Sequence, residues 1–169
     1  VPIEHGNDRF AAVIADASGA HGTSHYFMPL TVRWTRYTAI DKGPGSVLSA
    51  VRRGPREGTL LDATAEPEFI AALLAKIHGK DTVTKADYTI EFRPTAVFAG
   101  ATAPDVKSVV PMDREQSNSS VVAEGKDGKY VVKILRRISA GIHPDLELGR
   151  FLADVAHFQN APALLGTVE

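Results

Sequence analysis

Over residues 9–17, Phe10, Val13 and Ile14 stand among alanines, and the run 25–37 is again rich in β-forming residues. Ser18-Gly19-Ala20-His21-Gly22 supplies turn chemistry between them, so the two runs predict a hairpin. Pro29 falls inside the second run and predicts an edge strand or a bulge, because proline has no N–H to give to a ladder. A third apolar run, 47–51, follows the breaker cluster Asp41-Lys42-Gly43-Pro44-Gly45. The chain up to about residue 60 therefore reads as a small antiparallel meander.

The period then changes. Phe69, Ile70, Leu73, Leu74 and Ile77 recur at helical spacing between Glu66-Pro67-Glu68 and Gly79, which are start and stop signals, so residues 66–79 predict an amphipathic, core-facing helix. Residues 88–98 are β-like but broken by Pro94. Over 99–111 the composition shifts to Ala, Gly, Pro, Thr and Asp, which predicts a boundary and a division into 1–108 and 109–169. Beyond it, two β-rich runs, 119–124 and 129–136, flank Gly125-Lys126-Asp127-Gly128, whose Asp-Gly pair signals a hairpin. His143-Pro144-Asp145 opens a second helix with the apolar stripe Leu148, Phe151, Leu152 and Val155, and residues 162–168 read as a last strand.

Composition removes several function classes. With 169 residues and 44% apolar content, the chain can furnish a core without crosslinks. Nineteen basic residues against twenty acidic ones give a net charge of -1, so there is no electrostatic footprint for nucleic acid or an anionic membrane. There is no cysteine, which excludes disulfides and thiolate metal sites and fits a reducing cytoplasm. No apolar run approaches a membrane span and no export signal opens the chain, so no membrane partner is expected. Val1 in place of a methionine, and an end just after a strand-like run, lead us to expect a piece of a longer protein.

Chemistry gathers in the second half. Arg114-Glu115-Gln116-Ser117-Asn118-Ser119-Ser120 is a polar turn leading into a strand, and its amides and hydroxyls suit phosphate oxygens. Such a turn also serves as an ordinary connection. Lys133 lies in Tyr130-Val131-Val132-Lys133-Ile134-Leu135, where an ammonium on an apolar strand calls for a carboxylate or phosphate, although strand alternation also places a polar residue there. Glu147 stands in the first turn of the following helix, where it suits the helix dipole and can pair with Lys133.

At these residues the chain resembles a known family. The segments Glu115-Gln116-Ser117-Asn118-Ser119-Ser120, Val132-Lys133-Ile134-Leu135-Arg136-Arg137 and Gly141-Ile142-His143-Pro144-Asp145-Leu146-Glu147-Leu148-Gly149-Arg150-Phe151-Leu152 are similar to the nucleotide lobe of maltokinases. Tyr26-Phe27-Met28-Pro29-Leu30 and Gly58-Thr59-Leu60-Leu61-Asp62-Ala63 resemble, more loosely, the cap subdomain that precedes that lobe. The likeness covers most of the chain.

It implies an α+β fold: an antiparallel β-rich cap with a helix over 1–108, then a protein-kinase-like small lobe of strands and an αC-type helix over 109–169. It implies a cytoplasmic kinase that transfers the γ-phosphoryl of ATP to maltose, giving maltose 1-phosphate, and that is often fused to trehalose synthase. By the same resemblance Ser117, Asn118, Ser119 and Ser120 replace the glycine-rich loop over the phosphates, Lys133 contacts the α- and β-phosphates, and Glu147 orients Lys133. His143 stands where the family often has asparagine. No segment matches the catalytic loop with its aspartate base or the magnesium-binding aspartate motif, so those, the Mg2+ ligands and the maltose pocket are expected beyond Glu169, and these 169 residues alone are expected to be inactive.

Other constellations are poorer. His21 and His25 are four apart in a turn and read as surface residues rather than a metal pair; Arg52, Arg53 and Arg56 read as a solvated loop, and Trp34 as core or interface. Two further functions stay open: an interaction module that docks trehalose synthase with weak or no ATP binding, and the lobe of another small-molecule kinase.

Overall fold

The structure is a computed structural model that describes residues 1–20, 22–36, 46–112, 118–156, 158 and 160–169, without the side chains of His5 and Asp154. In chain order the elements are β1 (Pro2–His5), β2 (Asp8–Gly19), β3 (Gly22–Arg33), β4 (Val47–Arg53), β5 (Arg56–Asp62), a 3-10 turn (Ala63–Ala65) and α1 (Pro67–Gly79). There follow β6 (Thr82–Lys85), β7 (Tyr88–Pro94), α2 (Ala96–Ala99), β8 (Val106–Pro111), β9 (Asn118–Gly125), β10 (Gly128–Leu135) and β11 (Arg137–Ile138). The chain continues through α3 (Pro144–Arg150), a π turn (Phe151–Val155) and β12 (Gly166–Val168). The fold is α+β with antiparallel pairing in every ladder. No described helix is long and apolar enough to cross a membrane.

The chain forms two compact units, Val1–Leu73 with Pro104–Ile138, and Leu74–Ala103 with Ser139–Glu169. The expected division into 1–108 and 109–169 partitions the chain differently, since Pro104–Ile138 groups with the N-terminal residues.

In the first unit a six-stranded sheet runs β1-β2-β3-β5-β4, with β11 also on β3. The expected hairpin is present, closing with Ser18 across from Thr23 and Gly19 from Gly22. The expected meander is not. Residues 56–62 form β5, which enters between β3 and β4 because its Thr59 and Leu61 are buried, whereas β4 is mostly exposed and takes the edge.

Pro29 neither bulges β3 nor puts it at an edge. It pairs with Ala12, and its nitrogen points to the side where β11 reaches only His25 and Tyr26 and β5 begins at Leu30. The Phe27 N–H, two residues earlier on that side, donates to the Arg136 carbonyl at 2.7 Å; at Pro29 neither strand asks for a donor.

The first half of α1 completes this core. All five residues of the predicted stripe are buried, and the Phe69 ring meets Phe10 edge-on at 5.3 Å. Each such side chain contributes about 1.5–3 kcal/mol by leaving water. A second sheet, ordered β10-β9-β8, contains the predicted Asp-Gly hairpin, with Lys126 and Asp127 as its loop and Gly128 at φ +142°. Half of the expected boundary segment, 106–111, is thus a strand.

In the second unit a sheet ordered β12-β7-β6 packs around Phe92 and Phe98, both buried. The last strand is shorter than predicted, and its partner is β7, with Thr167 across from Arg93. Thr95 caps α2 by accepting from the Phe98 N–H, and its hydroxyl donates to the Leu165 carbonyl at 3.0 Å. The predicted stripe of the second helix is not a core stripe: Leu148, Phe151 and Val155 are all more than half exposed, and α3 has no buried residue. After about two turns the helix widens, with the Ala156 N–H reaching the Phe151 carbonyl five residues back, so the 3.6 period does not continue past Arg150.

Candidate functional site

The candidate residues lie on β9, β10 and α3, and register decides which of them share a face. Lys133 is directly across from Ser120, Ile134 from Ser119, and Leu135 from Asn118. Side chains alternate along each strand, so Asn118, Ser120 and Lys133 stand on one face and Ser119 on the other. Burial separates the faces in the same way: Val121, Ala123 and Ile134, on the Ser119 side, are buried, while Lys133 and Val131 are exposed. The Met112 N–H donates to the Ser120 carbonyl at 2.9 Å and pins the stem of the connection from β8. Ser117, with Arg114, Glu115 and Gln116, lies outside the described residues.

Ser119 is turned toward an arginine that sequence reasoning assigned no role. Nε of Arg136 donates to Ser119 Oγ at 2.8 Å, and Nη2 reaches Thr64 Oγ1 at 2.7 Å and Asp62 Oδ2 at 2.8 Å. Asp62 is the cap of the 3-10 turn, its Oδ1 accepting from the Thr64 N–H at 2.9 Å. The only sequence signal was the paired Arg136-Arg137 ending an apolar strand, which reads equally well as a solvated end.

Glu147 lies exposed in the first turn of α3, in the second unit, whereas Lys133 belongs to the first. His143, which carried no assigned role, caps α3: its Nδ1 accepts from the Asp145 N–H at 3.2 Å. That is the bond an asparagine side chain makes at the same position.

A second cluster also escaped the sequence. Arg33 on β3 is bonded to Asp8 at 2.9 Å and to Glu66 and Glu68 at 3.2 Å each. Burial works against its cation, but Asp8 and Glu66, then Glu68, more than offset this and raise its pKa above the ordinary arginine value.

The weaker candidates find ordinary partners. His25 Nδ1 bonds Asp16 at 2.6 Å, and His21 lies outside the described residues. Arg56 sits over the Trp34 ring at 5.2 Å, while Arg52 turns back onto the Gly54 carbonyl at 2.9 Å. Among the described residues no group of three or more His, Asp or Glu gathers to hold a metal ion. Two open grooves, of about 320 and 360 Å³, are lined by Arg93, Arg150 and Thr167 and by Arg9, Val32 and Trp34; neither includes Lys133 or Ser120. No protein-family model matches the chain.

Proposed function

We propose that the chain carries the nucleotide-binding part of a maltokinase-type enzyme, a cytoplasmic kinase that passes the γ-phosphoryl of ATP to maltose. Residues 1–108 would be its cap and 109–169 its kinase-like small lobe. One observation carries the reading: Lys133 stands on β10, the second strand after the polar connection and the third of the β8-β9-β10 sheet in chain order, directly across from Ser120. Kinases set the phosphate-binding lysine on the third strand of the small lobe, behind the loop that covers the phosphates. Asn118, Ser120 and Lys133 share the face that would meet the phosphates, Ser117 would add a further phosphate contact, and Glu147 would orient Lys133.

Phosphoryl transfer rests on positioning and on metal-borne charge stabilisation, and Mg2+ would supply the latter through residues other than those described. Calorimetry with Mg·ATP tests the site: Lys133→Ala lowers affinity by at least about tenfold, the worth of one charge-assisted contact. Unchanged affinity overturns the reading. With maltose and ATP, the 169 residues alone are expected to give no maltose 1-phosphate.

A second reading, an interaction module that docks trehalose synthase, is favoured by the exposed stripe of Leu148, Phe151 and Val155. A folded chain that binds no ATP but retains trehalose synthase would support it.

A further inference from the structure

Four polar residues in a row invite the assumption that all four face one ligand, but β9 gives Ser119 to the opposite side. There its hydroxyl meets a guanidinium that reaches two other elements at once. Arg136 bonds Ser119 at the start of β9, Thr64 in the 3-10 turn and Asp62 at the end of β5. Its own carbonyl accepts from Phe27 on β3, so its backbone is fixed to the six-stranded sheet as well. Asp62 and Arg136 are each 21% exposed, which leaves the pair largely shielded from solvent screening. The Met112 to Ser120 bond holds the other leg of the same connection.

We infer that Arg136 is a positioning residue, which locks the stem of the 113–117 connection to the six-stranded sheet through Ser119 and thereby sets where Ser120 and Lys133 present themselves to phosphate. The inference rests on the nucleotide reading of that face. It assigns the row by parity: Asn118 and Ser120 are ligand-facing, and Ser119 is an anchor. Guanidinium geometry matters here, since one planar group supplies Nε to Ser119 and Nη2 to Asp62 and Thr64; a lysine keeps the charge but cannot span the three.

The test uses the full chain and four variants, Arg136→Lys, Ser119→Ala, their double, and Ser119→Thr, with Lys133→Ala as the control. Two quantities are read: hydrogen exchange at the amides of residues 112 and 118–122, compared with residues 69–77 of α1, and Mg·ATP affinity by calorimetry. Arg136→Lys and Ser119→Ala are expected to speed exchange at the stem but not in α1, and each to weaken ATP by about tenfold, the scale of one hydrogen bond to a charged group. The double variant is expected to be no worse than either single, and Ser119→Thr to behave as wild type. Lys133→Ala is expected to lose affinity with stem exchange unchanged.

Unaltered stem exchange in Ser119→Ala, or additive losses in the double variant, would overturn the inference, as would faster exchange with ATP affinity intact. If Arg136→Lys unfolds, Ser119→Ala against Ser119→Thr decides. If the wild type binds no ATP, the nucleotide reading fails, and the exchange data alone decide whether Arg136 orders the stem.

Discussion

Nη2 of Arg33 lies 3.2 Å from Oε2 of Glu66, a carboxylate whose side chain is only 2% exposed. The same guanidinium serves Asp8 and the half-exposed Glu68. Removing the cation strands a buried charge, so Arg33→Met is expected to cost about 3–5 kcal/mol in urea unfolding. Glu68→Gln, at the solvated end of the cluster, is expected to cost no more than about 1 kcal/mol. Equal costs would mean that burial does not govern this cluster.

Gly166 packs tightly within the second unit. A Cβ there would overlap Ile77 Cγ2 and lie 2.7 Å from the Arg93 carbonyl oxygen. The carbonyl belongs to the β7 ladder and cannot swing away as a flexible side chain could. Gly166→Ala is expected to destabilise by about 1–3 kcal/mol, read as a lower thermal midpoint.

His143 supplies the only side-chain cap of α3 among the described residues. His143→Ala is expected to cost about 0.5–2 kcal/mol, and His143→Asn to restore or exceed wild-type stability, because asparagine is among the best residues for that bond. Equal unfolding midpoints for the two variants would remove the cap from the account.

Acid sensitivity is expected at β12. Burial pushes the Glu169 carboxyl up, but the Thr167 hydroxyl and the Arg150 and Arg93 guanidiniums together hold it below the usual carboxylate range. A pKa lower in the folded than in the unfolded state gives stability that is present above the unfolded value, about 4.3, and lost as pH falls through the folded one. At pH 6 Glu169→Gln is therefore expected to be less stable than wild type by at most about 1 kcal/mol, the pairs being partly solvated. The difference should vanish as pH is lowered below the carboxylate range. A gap between the two melting curves that stays constant with pH would contradict this.

Much of this architecture could be read from local pattern. Turn chemistry and β-rich runs gave both hairpins, and an uninterrupted 3.6 period gave α1 with every stripe residue buried. Where the reading failed, distant partners decided. Residues 56–62 carry no unusual strand signal and became central only because β3 and β4 flank them. Pro29 read as a breaker because sequence cannot show that β11 and β5 both stop short of its nitrogen. The stripe of α3 is open from Leu148 onward, before the π turn begins, because a helical period marks an apolar face but not whether another element covers it.

At the site, the cross-strand meeting of Ser120 and Lys133 follows from the Asp-Gly hairpin register. Arg136 with Asp62, 74 positions apart by their numbering, and Arg33 with Glu66 are tertiary pairs that no local window contains.

The first unit is assembled from Val1–Leu73 and Pro104–Ile138, with residues 74–103 passing through the second. During synthesis the N-terminal strands therefore exist for some time before Arg136 is made to meet Asp62. Such non-local closure slows folding and keeps the exposed end of β3 waiting for β11. A nascent chain paused near residue 103 would hold an unfinished sheet edge, the state most open to pairing with a neighbour, and arrival of Ile138 would end that interval.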